Sequence, residues 1–215
     1  MAGATRTLSV DELDQRLTDG LDDLDEDVIA TSAGLLPARR YLPMLLSVEP
    51  RLVRPHDQED YFAHEQVDTC GVDGFTGLPV HPRTAYYRTF ETGIDADNHL
   101  FEFVVPMVPP TWNDEDRVAR YREVLGDSAM PTAVSVSVLD VCQPAVRSPR
   151  DHYGHWGLTH FLLDGHHKIQ AAAETGRPLR LLSLLAVDDG VAGQPDVDRL
   201  TRVRAGSPGR RRPPG

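Results

Sequence analysis

Leu162-Leu163-Asp164-Gly165-His166-His167-Lys168, continuing as Ile169-Gln170-Ala171-Ala172-Ala173, decides the reading of this chain. Thr159 to Leu163 is an apolar run and reads as a buried strand, broken at Asp164-Gly165. His166-His167-Lys168 then opens an Ala-rich helix that stops at Gly176, and Leu179 to Val187 is a second apolar run. Strand, tight turn, helix and strand form the pattern of an α/β (or α+β) fold. A helix that starts just past a strand aims unsatisfied N–H groups, and the positive end of its dipole, at one spot. Two histidines and a lysine placed there make an anion site, for which phosphate is the first candidate.

Roles within that turn follow from side-chain chemistry. Gly165 permits positive φ and close approach of a ligand. Lys168 offers a point charge for phosphate, and His166 or His167 can donate to phosphate oxygens. Asp164, at the strand's end, can hold Mg2+ or accept a proton from an attacking hydroxyl. The bland alternative has Asp164 capping the helix and the imidazoles merely exposed.

Five of the nine histidines lie between positions 152 and 167: His152, His155, His160, His166 and His167. Clustered imidazoles suit acid–base work, metal binding or a polar pocket. No H-E-x-x-H pattern or supporting Cys accompanies them, so His152, His155 and His160 read first as walls of a substrate pocket. His64, Cys70 and His81 are further metal-type residues, but their spacing matches no compact zinc pattern.

Working outward, residues 131–141 hold an alternating strand with Ala133, Val134, Val136, Val138, Leu139 and Val141 as candidate core. Asn113 or Asp114 starts a helix over 115–125 that ends at Gly126 and buries Val118, Tyr121, Val124 and Leu125. Residues 84–108 read as a hairpin: Ala85 to Phe90, a turn at 93–98, and Leu100 to Met107. Residues 56–83, with Gly71, Gly74, Gly77, Pro79 and Pro82, read as a long loop or irregular lobe. The apolar stretch Tyr41 to Val48 sits among prolines as a short helix or strand. Ser9, with Glu12 three residues on, opens an amphipathic helix over 10–29 that Gly20 interrupts. A loop is expected over 143–155, and another with a short helix over 188–203.

This divides the chain into an acidic helical segment (1–33), an extension with a loop lobe and hairpin (34–110), a core (111–205) and a disordered basic tail (206–215). The 215 residues are enough for one large domain, and 40% apolar content supports a packed core. The formal net charge is −11, with nine acids against two arginines in residues 1–30. Such a chain fits poorly with DNA binding, which needs dense phosphate neutralisation. No run approaches about 18 uncharged apolar residues. The N-terminus lacks a secretion signal's apolar core, and neither Cys70 nor Cys142 sits in a C-x-x-C pair. These features lead to an expectation of a cytoplasmic protein with reduced thiols and no membrane partner.

The residues from about 114 to 187 resemble the ParB/sulfiredoxin superfamily. A helix closing at Gly126 is followed by Pro131-Thr132-Ala133-Val134-Ser135-Val136, similar to the family's P-I-x-V strand. Phe161-Leu162-Leu163-Asp164-Gly165-His166-His167-Lys168-Ile169-Gln170-Ala171-Ala172 is similar to V-I-D-G-H-H-R-x-x-A-A, and Thr175 to Leu182 to the helix end and closing strand. The resemblance implies a small mixed sheet flanked by helices, with a nucleotide-phosphate site at the turn. It is closest to the kinases of free serine, through Asp-Gly-His, with Lys168 where they carry Arg. Sulfiredoxin's cysteine falls at His166, so its sulfinic-acid chemistry is not implied. The function expected is a nucleotide-dependent phosphotransferase, using ATP (or another nucleotide) and Mg2+ on a small hydroxylated metabolite. Asp164 and His166 would be catalytic, and Gly165, His166, His167 and Lys168 would hold phosphate. Tyr86, Tyr87, Arg88, Glu91 and Glu102 are candidates for the substrate wall. A noncatalytic nucleotide- or metabolite-binding module is the alternative. A metal-dependent hydrolase or nuclease built on the histidine cluster is the third reading.

Overall fold

The structure is a computed structural model and describes residues 5–55, 57, 59–77, 80, 85–127, 129–142 and 154–206. His152, His81 and the tail beyond residue 206 lie outside the described residues.

Helix α1 (Val10–Asp19) opens with the capping box: Ser9 accepts from the Glu12 N–H, and Glu12 reaches back to the Ser9 N–H. Gly20 ends it at φ 92, pressed against the Met130 carbonyl, where a Cβ would collide. The helix expected over 10–29 is thus interrupted at Gly20, as read from the sequence, and two helices result. Asp25 caps a second, α2 (Glu26–Ala33), by accepting from the Asp27 and Val28 N–H groups.

Strands β1 (Tyr41–Val48) and β2 (Arg51–Val53) follow. The stretch expected as loop contains a helix, α3 (Tyr61–Cys70), started by Asp60, which accepts from the Phe62 and Ala63 N–H groups. The glycines and prolines that signalled a lobe all lie past its end, at and beyond Gly71. The hairpin is present as β3 (Tyr86–Gly93) and β4 (Asn98–Pro106). Then come α4 (Glu115–Gly126), β5 (Thr132–Cys142), β6 (Gly154–Asp164), α5 (His166–Thr175), β7 (Leu179–Ala186) and α6 (Gln194–Gly206). Two expected loops are shorter than read: β6 already includes Gly154 and His155, and α6 fills most of 188–203.

All seven strands join one mixed sheet in the order β1-β7-β5-β6-β4-β3-β2. The fold is α/β, as expected. Strands of the N-terminal stretch are built into it: β1 pairs with β7, and β4 pairs in parallel with β6. A constraint on shape follows from connectivity. β1 and β2 form opposite edges, yet Val48 and Arg51 are three residues apart and so at most about 11 Å apart. Seven strands laid flat would separate the edges by roughly 29 Å. The sheet must therefore curl until its edges approach, as in an open barrel.

Helix α5 lies in the curl, touching β2, β5 and β7 alike. Its Ile169, Ala171 and Ala172 are fully buried with Leu100, Val104, Leu158, Leu162, Leu181 and Leu185 of the inner face. Helices α4 and α6 add Val118, Tyr121, Leu125, Val197 and Leu200 to this core. On the outer face α1 and α2 cover Val134 and Leu182, while α3 packs on Val53, Tyr86 and Phe103.

Helices on both faces defeat the simple alternation rule in β5. Val136 and Val138 are only half-buried, whereas Ser135 and Ser137, of opposite parity, are fully buried on the inner face.

Candidate functional site

The turn after β6 is built by packing. Gly165 has φ 94 and ψ 24, in the left-handed region. A Cβ there would sit 2.6 Å from the Ala133 Cβ, so the residue also lets α5 approach β5. Gly165, not Asp164, is the N-cap, and no side chain caps α5. Helices α1 to α4 have Ser9, Asp25, Asp60 and Asp114 in that role. Ile169 N donates to the Gly165 carbonyl at 2.9 Å. The preceding amides of the first turn therefore keep the donor character of an uncapped helix N-terminus.

The segment between β4 and α4 fastens onto this turn. Met107 N donates to His166 Nε2 at 3.2 Å, and Asp114 N donates to His167 Nε2 at 3.1 Å. Asn113 Nδ2 donates to the His166 carbonyl at 3.2 Å and to Gln170 Oε1 at 2.7 Å. An imidazole accepting at Nε2 is neutral and carries its proton on Nδ1. Burial holds both histidines below the ordinary imidazole range, aided at His167 by Arg117, and outweighs the opposing pull of Asp164 on His166 and of Asp114 and Asp164 on His167. His166 and His167 are thus neutral donors in fixed orientations.

Lys168 points inward. Its side chain is 3% exposed, and Nζ donates to the Thr132 carbonyl at 3.0 Å and to Asp164 Oδ2 at 3.3 Å, 5.7 Å from the Tyr121 ring centre. The ammonium closes the start of β5 and balances Asp164, whose own side chain is 54% exposed. The first turn thus combines uncapped amides, two imidazole donors and an accessible carboxylate.

His155 and His160 do not join it. His155 and His160 are five residues apart in one strand, an odd separation that sends them to opposite faces. His155 is buried against Tyr61, Phe62 and Phe101 on the outer side. His160 lies inside the curl with Glu102, both fully buried, with Nε2 3.8 Å from Oε1. The structure therefore does not bring His155 into one pocket with His160 and Glu102.

His160 Nδ1 is 2.6 Å from Ser137 Oγ, which is 2.7 Å from Ser183 Oγ. Thr89 Oγ1 donates to Glu102 Oε1 at 2.9 Å. Arg204 Nε approaches Glu102 Oε2 at 2.9 Å, but misaligned, so both atoms lack a hydrogen bond. Burial pushes His160 down to about 3 and holds the Glu102 carboxyl above its usual range, despite Arg204. Sequence reading singled out His160 and Glu102 but missed Ser137, Ser183 and Arg204. No motif marks these three, because they meet only through strand pairing and the return of α6.

Among the described residues, no group of three His, Cys, Asp or Glu could hold a metal ion. His64 instead meets Asp68 at 3.1 Å. A cavity of about 780 Å³ lies between α6 and the ends of β1 and β7, with Tyr41, Leu42, Val187 and Val197 in its walls. It includes none of the α5 first-turn residues, and two of its three arginines, Arg39 and Arg40, are paired with Asp189 and Asp188.

No helix of the described residues is long and apolar enough to cross a membrane. No family model, curated protein or solved structure matches the chain.

Proposed function

We propose that the chain is a nucleotide-dependent phosphotransferase with a ParB/sulfiredoxin-like core, its phosphate site the first turn of α5. One observation carries the reading. An uncapped helix begins at a left-handed glycine, beside two imidazoles locked as neutral donors and one accessible carboxylate. Amides and Nδ1–H groups suit phosphate oxygens, and they need no reorganisation to receive charge.

The Asp164 carboxylate suits Mg2+ that arrives chelated by nucleotide phosphates, since such ions take only one or two protein carboxylates. Asp164 would be that ligand, and the ion would supply charge neutralisation. In the alternative role, as base rather than metal ligand, Asp164 would take the acceptor hydroxyl's proton as its oxygen bonds to the γ-phosphorus. The bond to the β-bridging oxygen then breaks, and nucleoside diphosphate leaves. Lys168 would act by position, aiming the Asp164 carboxylate.

The buried ammonium also favours a second reading. Its bonds go to Thr132 and Asp164, which leaves no lysine directed at the γ-phosphate. A noncatalytic nucleotide-binding module needs none.

One experiment separates the two. Thermal-shift titration with ATP and CTP, with and without Mg2+, should raise the melting temperature under either reading. Release of nucleoside diphosphate with a pool of hydroxylated metabolites supports the transferase. Asp164→Asn should then abolish turnover while leaving nucleotide affinity within a few-fold. Turnover that persists at saturation in this variant refutes the role given to Asp164.

A further inference from the structure

We infer that Trp112 is the platform on which the ligand's base stacks, which makes the α5 site one for nucleosides rather than bare phosphates. The inference rests on the phosphate site proposed above. Trp112 lies in a 3-10 turn, Pro110–Trp112, and is 76% exposed. The second tryptophan, Trp156, is 2% exposed within the core, so the chain buries an indole where packing can use one.

The residues next to Trp112 are those that grip α5. Asn113 bonds the His166 carbonyl and Gln170, and Asp114 bonds His167. Trp112 therefore stands one residue from the Asn113 contact to the His166 carbonyl and two from the Asp114 contact to the His167 imidazole. Met107, 62% exposed, donates to His166 from the same segment. Two exposed apolar residues, Trp112 and Met107, thus belong to the segment that grips the polar donors of α5. Apolar surface held beside donors marks a binding site for a ligand with both characters. A nucleoside polyphosphate has both: a flat π-face for the indole, and an anionic chain for the amides and imidazoles. Because every base has a π-face, stacking on Trp112 favours nucleotides over inorganic polyphosphate with little choice among bases.

The test uses the full chain with Mg2+ and two probes, ATP and tripolyphosphate, each titrated by calorimetry. Trp112→Ala should weaken ATP about tenfold or more and leave tripolyphosphate unchanged, and Trp112→Phe should recover most of the loss. ATP should also quench the fluorescence of wild type but not of Trp112→Phe, whose remaining indole is buried. Equal effects of Trp112→Ala on both probes, or none on ATP, overturn the stacking role while the phosphate site stands. Failure of wild type to bind either probe overturns the phosphate site and, with it, this inference.

Discussion

Replacing Gly165 with alanine should destabilise the fold by about 2–5 kcal/mol. Two separable causes make up that figure. Its φ of 94 is left-handed, which costs an L-residue about 1–2 kcal/mol. The new methyl would stand 2.6 Å from the Ala133 Cβ and 3.0 Å from its Cα. Ala133 is fully buried in a strand paired on both sides, so relief must come from backbone movement, at about 1–3 kcal/mol. Gly176, at the other end of α5, supplies the control. Its φ is 60, but a Cβ there meets nothing within 4 Å, so Gly176→Ala should cost only the conformational part, about 1–2 kcal/mol. Urea denaturation of both variants measures the difference. In thermal melts Gly165→Ala should lose roughly 5–15 °C. Adding Ala133→Gly removes the contact with Cβ but neither the 3.0 Å approach to Cα nor the dihedral strain, so the pair should couple by about 1–2 kcal/mol. Equal losses for the two alanine variants, with no coupling to position 133, would refute the packing argument for Gly165.

Buried His160 makes stability depend on pH. Its folded value, about 3, lies below the unfolded one, so the unfolded chain binds the extra proton. Stability from this group is complete above about pH 6.5 and falls by roughly 1.4 kcal/mol per unit as pH drops toward 3. Glu102, raised by burial, works in the opposite sense as pH falls through its folded value. Wild type and His160→Gln should therefore be compared by urea unfolding at pH 7 and pH 5. A wild type that loses no more than the variant contradicts a neutral, buried imidazole. Asp60→Ala should cost about 3–5 kcal/mol, because Asp60 accepts from Arg88 twice, Arg51, Tyr86 and two α3 amides, and its loss leaves Arg88 buried and unpaired. A loss below about 1 kcal/mol, read by denaturation, would show that α3 docks without that pair.

The chain's own order of residues was enough to place α1, the β3–β4 hairpin, α4, β5, α5 and β7. Each is written locally, by apolar period and by a stop or cap such as Ser9, Asp114 or Gly176. The turn at Asp164–Lys168 was legible for the same reason: Asp-Gly between an apolar run and an Ala-rich segment admits few backbone paths. What local signals cannot carry is which strands become neighbours. β1 and β2 are adjacent in sequence and opposite in the sheet, and that arrangement curls it around α5. Only strand pairing sets Ser137, His160 and Glu102 side by side on the inner face, where α6 brings Arg204, and only the register of β5 against β6 and β7 turns its serines inward. The direction of Lys168 was likewise settled by tertiary contact. A lysine in a first helical turn can reach solvent or core, and here the Thr132 carbonyl, exposed by the start of β5, draws it inside. Period and punctuation are properties of a few consecutive residues. Strand order and the destination of a long side chain depend on partners scores of positions away.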